Sequence, residues 1–407
     1  MINNNNILLF VIIFYFLLIK LKYKFLNIQI FMGNFCKKLC SKKTIENELN
    51  KIDDKTVSLF INPTFVNENF TINDFTKINF IGEGSFGKVL LVKLNKTNEY
   101  FAMKILDKKH LIKLNQVNNT KNERNIFKSV KHPFLTKLLY AFTDSKNIYF
   151  ISEFMQGGEL FFHLSKNTFK EKEVRFYMSE IFLAIQYLHN NNYIYRDLKP
   201  ENILIGLDGH IKLTDFGLSK MLKNNQDKTY SLVGTIQYLA PEILFNKEEG
   251  YDKNCDWFSF GVVMFELYCG YHPFNFKNSY KIEKKIYEQK IKIPSFVGDD
   301  AKDLILKLTV INPKERLGAK NEDDIKNHPF FGGLNFDDVL NKKITPPFIP
   351  NVENEIDLRY FDKQFTKNKI DDSSMMNESN LNYSDQNIEM FEGFSYKPKD
   401  LNLETKN

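Results

Sequence analysis

With 407 residues, 43 % of them hydrophobic and 26 % charged, the chain can bury a full core, which excludes a disordered or fibrous protein and points to one large domain with tails. Its formal charge of +6 is mild, and the basic excess is lysine scattered among asparagines, not arginine clustered with aromatics, so a nucleic-acid groove is not expected. Four cysteines in so long a chain make no disulfide framework; Cys255 and Cys269 stand at the two ends of an apolar helical run and read as core thiols of a reducing compartment.

In chain order, residues 1–31 carry the apolar run Ile7 to Ile19. It falls short of the ~20 residues that a spanning helix needs. A cleaved signal peptide fits poorly too, because no charge precedes the run and no small-x-small site follows it. Lys20, Lys22 and Lys24 come next, so insertion would keep the rest of the chain in the cytosol. Residues 32–74 form a basic leader that opens Met32-Gly33-Asn34-Phe35-Cys36. Gly33 has the place of a myristoylated glycine, Cys36 and Cys40 those of palmitoylated cysteines, and Lys37, Lys38, Lys42 and Lys43 would attract anionic lipid. Lys37 stands where serine or threonine is expected, and the reading needs translation to begin at Met32. Two expectations stay open here, a disordered basic leader and an association with membrane.

The alternation then changes to strands. Lys77 to Ile81 and Val89 to Lys93 flank Gly82-Glu83-Gly84-Ser85-Phe86-Gly87, which therefore reads as a hairpin turn and not as the strand-to-helix joint of a dinucleotide fold. Amides of such a turn can lie over triphosphate oxygens. Phe101 to Lys104 is a third strand with one lysine at its end, Glu123 sits in a helix from Asn118 to Val130, and Asn147 to Glu153 is another strand. From Glu171 to His189, Val174, Met178, Ile181, Ile185 and Leu188 recur at helical spacing and mark a core helix.

That helix delivers the chain to Tyr195-Arg196-Asp197-Leu198-Lys199-Pro200-Glu201-Asn202. Asp197 can accept a proton from a hydroxyl, Lys199 can hold a phosphoryl oxygen, and Asn202 can ligate a hard cation. Taken alone, the stretch also fits a polar turn before Pro200. A hairpin from Ile203 to Leu213, turning at Asp208-Gly209, leads to Asp215-Phe216-Gly217, and Ala240-Pro241-Glu242 follows. The tail holds Pro346-Pro347-Phe348-Ile349-Pro350, then Tyr360-Phe361-Asp362, then Phe391-Glu392-Gly393-Phe394-Ser395-Tyr396.

In this order the motifs resemble a eukaryotic protein kinase from Phe75 to Phe331. Tyr195 and the three tail segments make the chain similar to the AGC group, whose members include protein kinase B, serum-regulated kinase and ribosomal S6 kinase. The resemblance implies an α+β bilobal fold over residues 75–331, with a small antiparallel-β lobe and a mostly helical lobe, followed by a regulatory tail at 332–407. It implies ATP and Mg²⁺. Ile81, Gly82, Glu83, Gly84, Ser85, Phe86, Gly87, Lys88, Val89, Ala102 and Leu204 would enclose the nucleotide, with backbone groups of Glu153 and Met155 reading the adenine edge. Lys104 would bind the α and β phosphates, steadied by Glu123; Asp197 and Lys199 would serve the transfer; Asn202 and Asp215 would hold the metal.

Further roles come from the same likeness. Ser152 occupies the position guarding the back of the adenine pocket, where a larger residue is usual, so bulky adenine mimics should enter. Phe127, Leu138, Tyr195 and Phe216 match a column linking the lobes, with Asp256 beneath it, and Arg316 matches the arginine that pairs with Glu242. Ser231 falls at the activation-loop phosphosite, with Arg196 and Lys220 as phosphate clamps; Ser395 falls at the hydrophobic-motif site and Ser373, or next to it Ser374, at the turn-motif site. Phe391 and Phe394 would dock beside the Glu123 helix and receive an upstream activating kinase. Glu159, Glu201 and Glu266 match acidic positions that read arginines ahead of the target serine or threonine, while Gly234-Thr235-Ile236-Gln237-Tyr238 departs from the usual G-T-P-E-Y. The expectation is a monomeric, cytoplasmic serine/threonine kinase that phosphorylates Arg-directed sequences, on the cytosolic face of a membrane if the N-terminus associates. A membrane-tethered pseudokinase scaffold is the competing class, and it usually lacks at least one of Lys104, Glu123, Asp197, Asn202 and Asp215, all present here.

Overall fold

The computed structural model describes residues 70–84, 87–223, 227–245, 248–274, 284, 286, 291–367, 390–391 and 394–396. The expectations for Ile7 to Ile19, for Gly33, Cys36 and Cys40, for Ser85 and Phe86, and for Ser373 and Ser374 lie outside the described residues. Among the described residues, no helix is long and apolar enough to cross a membrane.

Runs rich in apolar and β-branched residues build β1 (Phe75–Gly84), β2 (Gly87–Leu94) and β3 (Tyr100–Asp107). Two helices follow, α1 (Lys108–Lys113) and α2 (Val117–Ser129), then β4 (Leu138–Thr143) and β5 (Asn147–Glu153). The five strands form one antiparallel sheet in the order β1-β2-β3-β5-β4. Gly84 pairs with Gly87, so the strands on either side of the glycine-rich segment are antiparallel neighbours up to those two residues. Gly87 has no substitute there, because a Cβ would run into the carbonyl oxygen of Ile105.

Lys104 is not at the end of its strand. It sits in the middle of β3, paired with Val89 on one side and Phe150 on the other. The strand continues because Ile105 and Leu106 still have core to fill, and it stops at Asp107, whose carboxylate accepts the amide of His110 and starts α1.

The second lobe is helical: α3 (Leu160–Leu164), α4 (Glu171–Asn190), α5 (Pro241–Phe245), α6 (Asn254–Cys269), α7 (Asp299–Leu308) and α8 (Asp323–Lys326). The Glu173 carboxylate caps the Lys170 amide at 2.6 Å and starts α4. Val174, Met178, Ile181, Ile185 and Leu188 are all buried, each contributing about 1.5–3 kcal/mol. Every residue of α6 is buried, which makes it the helix that the lobe packs around, and it ends at Gly270 with φ 73°. Cys255 and Cys269 are buried free thiols on it.

Short ladders carry the polar loops. β6 (Tyr193–Ile194) pairs with β9 (Lys220–Met221), and β7 (Ile203–Ile205) pairs with β8 (Ile211–Leu213). The second ladder brings Asn202 and Asp215, which flank it, to the same cleft.

Candidate active site

A cleft of about 400 Å³ opens between the sheet and the helical lobe. The small lobe contributes Ile81, Gly82, Glu83, Gly84, Val89, Ala102, Lys104, Glu123 and Ser152, and the segment joining the lobes contributes Glu153 and Met155. From below come Asp197, Lys199, Asn202, Leu204 and Asp215. Gly87 and Lys88 begin β2 beside it. A larger pocket of about 520 Å³, lined by Glu242, Tyr251 and Asn312 among others, holds none of these groups.

One ammonium ties three separate segments together. Lys104 Nζ lies 2.8 Å from Glu123 Oε1 and 3.0 Å from Asp215 Oδ1. Burial opposes the charge on Lys104, but Asp215 and Glu123 outweigh it and raise its pKa. Burial likewise opposes ionisation of Asp215, and Lys104 reverses this, holding the carboxyl below its usual range. Asp215 has φ +57°, a left-handed backbone for a side chain with a Cβ, fixed in part by the Gly217 amide on Oδ1 at 3.2 Å.

Asp197 is held by a closed set of donors. Asn202 Nδ2 donates to its Oδ2 and to its carbonyl, both at 2.8 Å. Lys199 Nζ lies 2.9 Å from Asp197 Oδ2 and donates to Thr235 Oγ1 at 2.9 Å, while the Thr235 hydroxyl donates to Asp197 Oδ1 at 3.0 Å. Sequence reasoning gave Thr235 no role. It stands 38 residues from Asp197, and nothing in its neighbours marks the return of the chain.

The backbone of this loop hangs on α6. Asp256 accepts the amides of Tyr195 at 2.9 Å and Arg196 at 2.8 Å, and Arg196 has φ +68°. Phe216 packs edge-on against Phe127 and Tyr195, with centroids 5.2 and 5.9 Å away, and Leu138 is buried in the same core. Arg316 makes two bonds to Glu242, at 2.7 and 2.9 Å, in a fully buried pair.

Oxygen donors suited to a hard cation are present. Asn202 and Asp215 face one cleft, and among the described residues the bonds to Asp215 from Lys104 and the Gly217 amide both fall on Oδ1. Among the described residues there is no group of three or more His, Cys, Asp or Glu able to hold a metal alone. Mg²⁺ keeps several waters and takes one or two protein oxygens plus substrate phosphate, a demand that the Asn202 and Asp215 oxygens can meet.

Beside the cleft lie three carboxylates. Burial, then the charges of Glu201 and Asp362, push Glu159 up to about 7. Burial and Glu201 push Glu266 up to about 7 as well, although the Tyr238 hydroxyl donates to it at 2.7 Å. Glu201 is raised by burial, and its Oε2 is buried without a partner. Asp362 was not anticipated as a neighbour of Glu159, since it comes from the tail.

The other anticipated residues fall as follows. Glu153 turns its side chain away to Lys212, at 2.6 and 2.7 Å, leaving backbone toward the cleft. Ser152 pairs with Ala102 across β3 and β5, so two small side chains share the face that lines the cleft. Ser231 is exposed, and its Oγ accepts Arg196 Nη1 at 2.7 Å. Lys220 Nζ donates to Thr229 Oγ1 at 3.0 Å, and the Thr229 hydroxyl lies 3.4 Å from that of Ser231.

The tail wraps this site. Gly158, at φ +74°, leaves room for the Tyr360 carbonyl, and Phe361 stacks on Phe154 at 5.6 Å and lines the cleft. Phe391 and Phe394 are 3 % and 2 % exposed; Phe394 lies 5.5 Å from Phe150. Lys108, Arg124 and Lys128 lie over the rings of Phe391, Phe394 and Tyr396 at 5.4, 5.2 and 5.1 Å. Ser395 is exposed between them.

Residues 75–331 match the family described as the protein kinase domain, and residues 352–396 match the protein kinase C terminal domain. A RAC family serine/threonine-protein kinase homolog of Dictyostelium discoideum is 43 % identical over 331 residues, 81 % of this chain and 73 % of that protein. The serine/threonine-protein kinase Sgk2 of Rattus norvegicus is 41 % identical over 337 residues, 82 % of this chain and 91 % of its own. RAC-beta serine/threonine-protein kinase A of Xenopus laevis is 43 % identical over 303 residues, 74 % and 62 % of the two chains.

Proposed function

The chain belongs to the protein kinase family, as a serine/threonine kinase of the AGC type, and from that premise we propose that it transfers the γ-phosphoryl of ATP to serine or threonine in arginine-directed sequences. The observation that carries this reading is the Lys104 ammonium shared by Glu123 and Asp215 above the Asp197, Lys199 and Asn202 network. Lys104 orients the α and β phosphates. Asp197 orients the substrate hydroxyl and takes its proton, and Lys199 steadies the phosphoryl oxygens in flight. Asn202 and Asp215 would hold Mg²⁺, which when bound neutralises phosphate charge. Glu159, Glu201 and Glu266 receive arginines of the substrate, whose guanidinium would repair the unpartnered Glu201 oxygen.

Activity is set by two phosphosites. Phosphate on Ser231 would meet the Arg196 guanidinium already bonded to that hydroxyl. Ser395 beside the buried Phe391 and Phe394 is the second, and the same groove serves an upstream kinase when the tail is out of it. The enzyme is a cytoplasmic monomer, and its N-terminal lysines would draw it to the cytosolic face of a membrane where that segment associates with anionic lipid. Presence of all five of Lys104, Glu123, Asp197, Asn202 and Asp215 supports catalysis over a scaffold.

The test is phosphorylation of a peptide library by the full chain, with Asp215→Ala as control. Phosphate incorporation at serines or threonines preceded by arginine is expected, and none with the control. Equal labelling by both proteins, or labelling indifferent to arginine, would overturn the reading.

A further inference from the structure

We propose that Glu322 is a positioning residue for phosphoryl transfer: it fixes His189 as a doubly donating imidazolium, and His189 in turn holds Asp256 and the catalytic-loop backbone in working geometry. The proposal rests on the kinase reading above for its rate measurements, and on none of it for the charge state of His189.

His189 lies in the last turn of α4 and is 1 % exposed. Its Nδ1 is 2.9 Å from Glu322 Oε1 and its Nε2 is 2.8 Å from Asp256 Oδ2. An ionised carboxylate only accepts, so a ring placed between two of them must donate from both nitrogens, which neutral imidazole cannot do. The charged groups facing the ring are few. Asp256 comes from α6, Glu322 from the residue before α8, and Lys253, at the start of α6, lies 2.8 Å from the same Glu322 oxygen. Among the described residues the Tyr195 and Arg196 amides reach this unit from the catalytic loop, and Trp257 packs against the ring at 5.0 Å. The Tyr195 hydroxyl and the buried Cys255 thiol feel the Asp256 charge and stay neutral, because burial, and after it that charge, raises both. Two carboxylates, one lysine and one imidazolium sum to zero. With neutral histidine the buried group would carry a net negative charge, which a low-dielectric interior opposes.

The link to catalysis is Asp256. Its Oδ2 is shared between His189 and the Tyr195 amide, and its Oδ1 takes the Arg196 amide one residue before Asp197. Arg196 is held at φ +68°, so the loop has a local reason to relax when its anchor moves. Loss of the ring proton strips one carboxylate of its donor. Burial opposes charge on His189, yet the bonds to Asp256 and Glu322 prevail and raise its pKa above the ordinary 6.5. The positioning is therefore complete below that ordinary value and fades as pH rises through the raised one.

Two measurements on the full chain decide it. The ¹⁵N spectrum of the ring, assigned with His189→Gln, should show both nitrogens protonated at pH 7.5; one bare nitrogen overturns the proposal whether or not any variant folds. Glu322→Gln keeps an acceptor but removes the charge. Its kcat should fall roughly 2- to 30-fold as pH rises from about 6.5 to about 8.5, relative to the natural protein, with KM for ATP and peptide unchanged and partial recovery in Glu322→Asp. A Glu322→Gln protein that melts earlier but keeps the natural kcat and pH profile makes the residue a structural staple only and overturns it. Natural protein that phosphorylates nothing instead strikes the kinase reading, and the spectrum still stands by itself.

Discussion

Glu159 and Glu266 titrate near pH 7, so recognition of a basic substrate should weaken just below neutrality. The cause is burial reinforced by Glu201, and for Glu159 also by Asp362. With a pKa of about 7, each carboxylate is roughly 90 % ionised at pH 8 and roughly 10 % at pH 6. If each of two substrate arginines needs one ionised glutamate, the competent fraction falls from roughly 0.8 to roughly 0.01, about a 100-fold loss; dependence on one glutamate gives about 10-fold. The assay is kcat/KM between pH 6 and 8 for a peptide with two arginines before its serine, divided by the same quantity for a peptide with glutamines there. The ratio removes titrations common to both, and kcat/KM reports the free enzyme. Glu159→Gln should reduce the slope to that of the remaining carboxylate. A ratio that stays flat from pH 6 to 8 refutes the reasoning, because the charges would then not be what the arginines read.

Three further outcomes are expected. Adenine mimics with bulky N6 or C3 substituents should inhibit the natural protein roughly 10-fold or more better than Ser152→Met, measured as competition with ATP; equal inhibition sinks the idea that Ser152 and Ala102 leave space behind the adenine. Phe394→Ala removes a ring that is 2 % exposed, a change of ~3–5 kcal/mol, so the tail should leave its groove and activity drop while the catalytic domain stays folded. Hydrogen exchange at the Tyr396 amide, now bonded to Ala141, reads this directly. Ser231→Ala should lower activity by orders of magnitude without lowering the melting temperature appreciably, and full activity in unphosphorylated natural protein would count against the phosphosite.

What could be read from the chain was what local pattern carries. The continuous apolar run inside Asn147 to Glu153 gives β5 with its observed ends, and the spacing from Val174 to Leu188 gives the buried face of α4. Order along the chain gave Lys104, Glu123, Asp197, Asn202 and Asp215, and the fold gathers them in one cleft. Long-range returns were silent. Thr235 reaches Asp197 across 38 residues, Asp362 reaches toward Glu159 from the tail, and Glu322 meets His189 across 133, none of them with a local signal. The apolar run of Phe101 to Lys104 breaks at the lysine, so the continuation of the strand to Asp107 has no local mark, and neither has the bond from Lys220 to Thr229. Left-handed backbone at Arg196 and Asp215 was equally hidden, since neither is a glycine and both conformations are imposed by partners from elsewhere.

In the sheet order, β4 is a border strand, and Ala141 and Tyr396 exchange both of their backbone hydrogen bonds there. Open borders of sheets recruit strands from other molecules. The docked tail is thus also a cover for an adhesive margin, and chains cut before Phe391 should clump at concentrations where the whole chain stays dispersed.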